Sequence, residues 1–330
     1  MKKTDHPQIV VLDDWENGLH RLVDWSAIKA QADVAIYNRK LSGQELLEAL
    51  RSAQCVVLMR DRTPVNRELL QQLPGLRHIV FTGTRNKKLD LQAAADLGIQ
   101  VSHTDWGPSK ASTCEMTWAL ILAAVRKLPE LMLSQTRTTW RDPNSVATLP
   151  VVLHGQRLGV LGLGQIGQRV AAVGKALGME VVTWSPNMTK ERASEHGVTS
   201  VSLDELLASS GVVTLHLVPA PATLRLLRDE QLSLMRPDSI LVNTSRAELI
   251  DTASLVRALK KGRPGYAAID VFDEEPMGAS NELLSLPNVL LTPHYGFVSE
   301  PVFRKFAEGV QENIIAWLNG ELVGCEGTFA

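Results

Sequence analysis

The 330-residue chain is poor in cysteine, in aromatic residues and in net charge, and it holds no long apolar run. Cys55, Cys114 and Cys325 stand far apart and make no CxxC pair. That usage excludes a disulfide framework and reads as idle thiols of a reducing cytoplasm. No metal is expected. Lys and Arg number 34 against 36 Asp and Glu, a formal net charge of −2. Without a basic stripe, a nucleic-acid partner is not expected. The apolar stretches QIVVL (Gln8–Leu12) and ALILAAV (Ala119–Val125) fall far short of the ~20 residues of a membrane span, so no membrane partner is expected. The opening MKKTDHPQIVVLDDW has two lysines but no long apolar region, and acidic residues follow at once. It does not read as a secretory leader, and a cytoplasmic location is the expectation.

What is present is ordinary in bulk and specific in pattern. A content of 45% hydrophobic and 21% charged residues suits a globular protein, and the length suggests two domains. The first third alternates strand-like and helix-like segments. QIVVLDD, CVVLM, RHIVFTG and IQVSH read as strands, and GQELLEALRSA, NRELLQQLPGL and DLQAAADLG as helices. Such βα alternation implies a mostly parallel sheet. From Ser112 the run STCEMTWALILAAVRKLPELMLSQTR reads as one long helix, more apolar than a one-sided surface helix requires. It fits a core helix and a contact face equally well. The alternation then resumes. RLGVL, MEVVTW, GVVTLHL, SILVNTS, YAAIDVF and VLLTPH read as the strands of a second parallel unit, and EPVFRKFAEGVQENIIAWLNGE as a last amphipathic helix.

Gly162-Leu163-Gly164-Gln165-Ile166-Gly167 is a GxGxxG turn placed between an apolar strand and the helical QRVAAVGKALG. A bare glycine triplet is weak, but this context makes it a dinucleotide fingerprint. Gly162 permits the tight turn, Gly164 leaves room for a pyrophosphate, and Gly167 lets helix and strand approach. The free N–H groups of the helix start then face the phosphates. About 20 residues further on, a carboxylate usually receives the adenosine ribose. Ser185 occupies that place, with Asn187, Lys190 and Arg192 following. The pattern admits NAD or NADP.

Three segments at later strand ends carry chemistry: NTSRAELID with Arg246, DVFDEEP with Asp270 and Glu275, and LTPHYG with His294. In doubly wound sheets ligands bind beyond the carboxyl ends of the strands. Oxidising a secondary alcohol needs a base, which histidine supplies in the right pH range. It needs a carboxylate to orient and stabilise the imidazolium. It also needs a cation for the substrate carboxylate, which an arginine fork grips with two bonds. His294, Glu275 and Arg246 supply these. His216, inside TLHLVP, reads as a structural strand histidine.

Taken together, LGVLGLGQIG, LHLVPAPATLRLL, MRPDSILVNTSRAELID, AAIDVFDEEP and NVLLTPHYG resemble the D-isomer-specific 2-hydroxyacid dehydrogenases. LMRDRT, LPGLRHIVFTGTRNKKLDL and CEMTWALIL match more weakly. The resemblance implies an α/β protein with two doubly wound parallel-sheet domains. A Rossmann cofactor domain (109–296) is inserted into a flavodoxin-like substrate domain (1–108 and 297–330). It implies NAD(P)-dependent interconversion of a small 2-keto acid and its D-2-hydroxy acid, and a homodimer paired through the cofactor domain. Arg246 would bind the substrate carboxylate, His294 would exchange the proton, and Glu275 would partner it. Gly162, Gly164, Gln165, Ile166, Gly167, Ser185, Pro219, Thr223, Thr244, Ser245, Asp270 and Gly296 would line the cofactor. Arg60, Thr84, Arg85 and Asn86 would face the substrate. GTRNKK departs from the family's usual run, Ala247 stands where glycine is common, and no appended regulatory domain is expected. A corepressor-like dinucleotide sensor is the alternative. Glu275 speaks against a formate dehydrogenase-like activity, which carries glutamine there.

Overall fold

The computed structural model describes residues 6–135 and 149–321. The chain forms two compact units, Met1–Pro108 with Ser299–Ala330, and Ser109–Val298. Each is built on one parallel sheet.

The first unit contains β1 (Gln8–Leu12), β2 (Asp33–Ile36), β3 (Ala53–Leu58), β4 (His78–Phe81) and β5 (Gln100–His103), in the order β2-β1-β3-β4-β5. Its central strands are apolar at nearly every position because both faces are covered. Val10, Leu12, Val56, Leu58, Ile79 and Phe81 point to one face and join a single core with Leu46, Leu50 and Leu70. The intervening residues point the other way, where His78 stacks on Trp317 of the helix Glu300–Leu318. That last helix also lays Phe303 against Gly18, where a Cβ would come within 2.0 Å of the ring. The end of the chain thus completes the unit that its beginning started. β2 has no counterpart in the sequence reading. It is a four-residue edge strand with no fully buried position, so it lacks the apolar run that marks the others.

The second unit contains β6 (Arg157–Leu161), β7 (Glu180–Trp184), β8 (Thr199–Ser200), β9 (Val212–Leu215), β10 (Ile240–Asn243), β11 (Tyr266–Ile269) and β12 (Val289–Leu291). They run parallel in the order β12-β11-β10-β9-β6-β7-β8, a doubly wound sheet with its switch point between β6 and β9. Leu158, Val160 and Val242 pack on the side of the helices Ser109–Val125 and Gln165–Ala176. Leu161, Val213, Leu241 and Ile269 pack with Leu206, Leu255 and Leu259 of the opposite helices. Two-residue β8 is too short to leave a periodic signal.

The long helix read from Ser112 is two helices, Ser109–Val125 and Leu128–Gln135, and the end of that run lies outside the described residues. Pro129 explains the break. It has no N–H to give the Val125 carbonyl four residues back, and the Val151 N–H takes that carbonyl instead at 2.9 Å. Lys127 makes the corner with φ 56°. Cys55 and Cys114 are buried free thiols, and Cys325 lies outside the described residues. Among the described residues no helix is long and apolar enough to cross a membrane, and no group of three or more His, Cys, Asp or Glu could hold a metal.

Candidate active site

All the segments singled out in the second half leave the carboxyl edge of one parallel sheet. The glycine turn follows β6, Ser185 follows β7, Pro219 follows β9, Arg246 follows β10, Asp270 follows β11 and His294 follows β12.

Each glycine of the turn has its own constraint. Gly162 sits at φ 96°, and a Cβ there would lie 2.7 Å from the His216 carbonyl oxygen. Its N–H donates to the Trp184 carbonyl at 2.8 Å, which pins the turn to the end of β7. A Cβ at Gly167 would lie 2.0 Å from the Gly162 carbonyl oxygen, so helix and turn touch backbone to backbone. Gly164 differs: a Cβ there would meet nothing within 4 Å. It is the N-cap of the helix Gln165–Ala176 and offers no side-chain cap. The free amides of this helix start, open on the side of Gly164, fit a pyrophosphate. Gln165 is exposed and Ile166 half-buried beside it.

The loops after β9 and β10 are tied together. Ser245 Oγ donates to the Leu217 carbonyl at 2.6 Å. Thr223 Oγ1 donates to the Val218 carbonyl at 2.7 Å and accepts from the Ala220 N–H at 2.9 Å, closing the turn that carries Pro219. Thr244 and Thr117 share a hydroxyl hydrogen bond of 2.7 Å. Asn243, not singled out from the sequence, organises the turn before Arg246. Its Nδ2 donates to the Arg246 carbonyl at 2.9 Å and its Oδ1 accepts from the Ser245 N–H at 3.0 Å. An Asn closing a strand before Thr-Ser was the available signal. Arg246 Nη1 bonds the Ser245 carbonyl at 2.7 Å.

His294 and Glu275 meet. Nδ1 of the imidazole lies 2.7 Å from Glu275 Oε2, and the other carboxylate oxygen accepts from the Phe272 N–H at 3.0 Å. Both side chains keep partial access to solvent, 29% and 28%. Phe297 sets its ring edge-on to the imidazole at 5.8 Å. Asp270 is fully buried and accepts from Thr292 Oγ1 at 2.5 Å, the Tyr295 N–H at 2.8 Å and the Gly296 N–H at 2.8 Å. Burial pushes its carboxyl pKa up, and these donors oppose the shift. The loop that carries His294 is therefore strapped to β11 through one carboxylate. His216 Nε2 bonds Thr214 Oγ1 at 3.0 Å within its own strand segment.

In the first unit, Arg60 is buried and acts as a brace. Its Nη1 donates to the carbonyls of Thr82 and Arg85 at 2.6 and 3.3 Å, and its guanidinium lies 3.8 Å from the centre of the Trp106 ring. Asn86 Nδ2 returns a bond to the Arg60 carbonyl at 2.8 Å, and Trp106 Nε1 donates to Thr84 Oγ1 at 2.7 Å. Arg85 is exposed on this braced loop.

Residues 118–296 match the model of the D-isomer specific 2-hydroxyacid dehydrogenase, NAD binding domain. The chain belongs to this family. It is 36% identical to a glyoxylate reductase of Aeropyrum pernix over 287 residues, covering 84% of each chain. It is 37% identical to a D-3-phosphoglycerate dehydrogenase of Methanocaldococcus jannaschii, covering 86% of this chain and 53% of that one. The chain thus spans about half the length of that second relative. A phosphoglycerate oxidoreductase of Vibrio cholerae superposes with a TM-score of 0.86 at 33% identity, over 96% of this chain and 99% of the other. A D-lactate dehydrogenase of Aquifex aeolicus, solved with NAD and lactic acid, superposes at 0.73 with 26% identity, over 96% of each chain. The protein is an NAD(P)-dependent oxidoreductase of the 2-hydroxyacid dehydrogenase family, with two parallel-sheet α/β domains.

Proposed function

We propose that the enzyme interconverts a small 2-keto acid and its D-2-hydroxy acid, with His294 as the acid–base group, Glu275 as its partner and Arg246 as the substrate-carboxylate binder. The observation that carries the reading is the 2.7 Å bond between His294 Nδ1 and Glu275 Oε2. With Nδ1 committed to a carboxylate, Nε2 is the nitrogen left to exchange a proton with the substrate oxygen. Glu275 stabilises the imidazolium that forms when the alcohol is oxidised, and it holds the ring in orientation through its own bond to Phe272. Arg246 offers a planar fork for a carboxylate. The nicotinamide, when bound, supplies or accepts the hydride. Gly162, Gly164 and Gly167 with Gln165 and Ile166 would hold the pyrophosphate, and Ser185 the ribose. Pro219, Thr223, Thr244, Ser245, Asp270 and Gly296 would wall the remainder.

Arg60, Thr84, Arg85 and Asn86 are proposed for the substrate side. The bonds of Arg60 and Asn86 tie the end of β3 to the loop after β4 and support a role in the shape of that loop, and Arg85 is the exposed charge it presents. A cytoplasmic homodimer belongs to the same proposal. The exposed Leu122, Leu128 and Met132 on the two helices after Pro108 support the pairing.

The test is turnover of glyoxylate, hydroxypyruvate, pyruvate and bulkier 2-keto acids with NADH and NADPH. At least one small 2-keto acid should be reduced, and every chiral product should be the D isomer. Absence of turnover across the panel with bound dinucleotide, or an L product, would overturn the assignment.

A further inference from the structure

We infer that the chain prefers NADPH to NADH and that the segment Ser185–Arg192 reads the 2′-phosphate. The inference rests on the dinucleotide reading of the glycine turn and is independent of the role given to His294. In a doubly wound fold the adenosine ribose meets the residue that closes the second strand, and a carboxylate there accepts its hydroxyls and repels a phosphate. In this protein that strand is β7. It ends at Trp184, whose carbonyl takes the Gly162 N–H, so the residue next to the turn is Ser185.

No carboxylate stands between Trp184 and Lys190. The first one, Glu191, is hydrogen-bonded by the Thr189 side chain and its own backbone amide at the start of the helix Lys190–Ser194. Glu191 is itself exposed and lies between Lys190 and Arg192, while the residues from the strand end to Lys190 offer solvent only neutral groups and one cation. Ser185 uses its carbonyl to accept the Met188 N–H at 3.0 Å, and its hydroxyl makes no hydrogen bond among the described residues. The Asn187 side chain is likewise unspent, while its carbonyl accepts from Arg192 Nη1 at 2.7 Å. That bond places the Arg192 positive charge beside Asn187. Lys190 is exposed and makes no ion pair among the described residues.

Several exposed arginines of this chain are spent on carboxylates, as in Arg236–Asp238 and Arg257–Asp229. Here two cations and two neutral donors follow a strand end, and the one carboxylate of the segment, Glu191, stands six residues beyond Ser185. A phosphate dianion supplies charge-assisted bonds roughly twice as strong as those a ribose hydroxyl would make. A neutral Ser185 imposes no repulsion to offset them.

The experiment is fluorescence titration of the full chain with NADPH and with NADH in the absence of keto acid. NADPH should bind more tightly by about 10- to 100-fold. Ser185→Asp should erase or reverse that ratio, chiefly by weakening NADPH. Lys190→Ala and Arg192→Ala should each weaken NADPH by several-fold and leave NADH unchanged. NADH binding as tightly as NADPH to the wild-type chain would overturn the inference, as would Lys190 and Arg192 variants with the wild-type ratio. Binding of neither dinucleotide would instead overturn the reading of the glycine turn on which it rests.

Discussion

His294 holds a left-handed backbone, φ 57°, which costs an L residue about 1–2 kcal/mol. Its surroundings must impose that conformation, and Asp270 does so through the hydroxyl of Thr292 and the amides of Tyr295 and Gly296. Asp270→Asn should therefore act through the loop. A carboxamide has one acceptor oxygen and would turn an NH2 toward an N–H, leaving a buried donor unmet at about 1–3 kcal/mol. We expect kcat to fall by roughly tenfold or more while the far-UV circular dichroism stays that of the wild type. Wild-type kcat in this variant would show that the strap does not position His294. The sequence pointed to Asp270, Glu275 and His294 because charged and titratable residues at strand ends are visible as letters. It did not reveal that Asp270 binds backbone amides, nor that Asn243 shapes the Arg246 turn. Those partners are main-chain groups, and every residue carries them.

At the scale of the element, the glycine turn separates binding from folding. Gly164 has open space around its missing Cβ, and Gly167 has the Gly162 carbonyl at 2.0 Å. Gly164→Val should melt at the wild-type temperature yet bind NAD(P)H at least tenfold more weakly, about 1.4 kcal/mol. Gly167→Ala forces strand and helix apart and should destabilise the unit by about 1–3 kcal/mol, read by urea unfolding. Equal effects of the two on stability would contradict this division. The same scale shows which elements the sequence could disclose. Strands buried on both faces, such as β1, β3 and β9, announce themselves as apolar runs. The edge strands β2 and β8 are short and half-covered, so their pattern fades into the neighbouring loops. The corner at Lys127 was marked by Pro129, which a reading of apolar content passed over.

For the whole molecule, burial of titratable groups sets the response to acid. His78 is fully buried between Cys55, Ser102 and Trp317, and that burial pulls its pKa down to about 4 from 6.5. Its folded-state pKa is depressed, so the native form stays neutral where the unfolded chain takes up a proton. The contribution is intact above pH 6.5 and is lost as pH falls from 6.5 toward 4, by roughly 3 kcal/mol in all. Urea unfolding at pH 7 and pH 5 should show this decline, and His78→Gln should make it shallower, the rest belonging to His216, which burial pulls down to about 3. A decline of the same size in the variant would assign the acid sensitivity to other groups.

The molecule also has a chain order that composition alone does not disclose: the first unit begins at the N-terminus and is completed by the helix Glu300–Leu318. Chain length suggests two domains, and the family resemblance implies that one is inserted into the other. The packing of Phe303 on Gly18 needed coordinates.

The central claim is that His294, oriented by Glu275, moves the proton while hydride is transferred. Its most direct test is single-turnover reduction of the best keto acid by His294→Ala, with dinucleotide affinity measured on the same sample. The rate should drop by roughly 10²–10⁴ while dinucleotide affinity stays near the wild-type value. A variant that turns over at the wild-type rate would contradict the account.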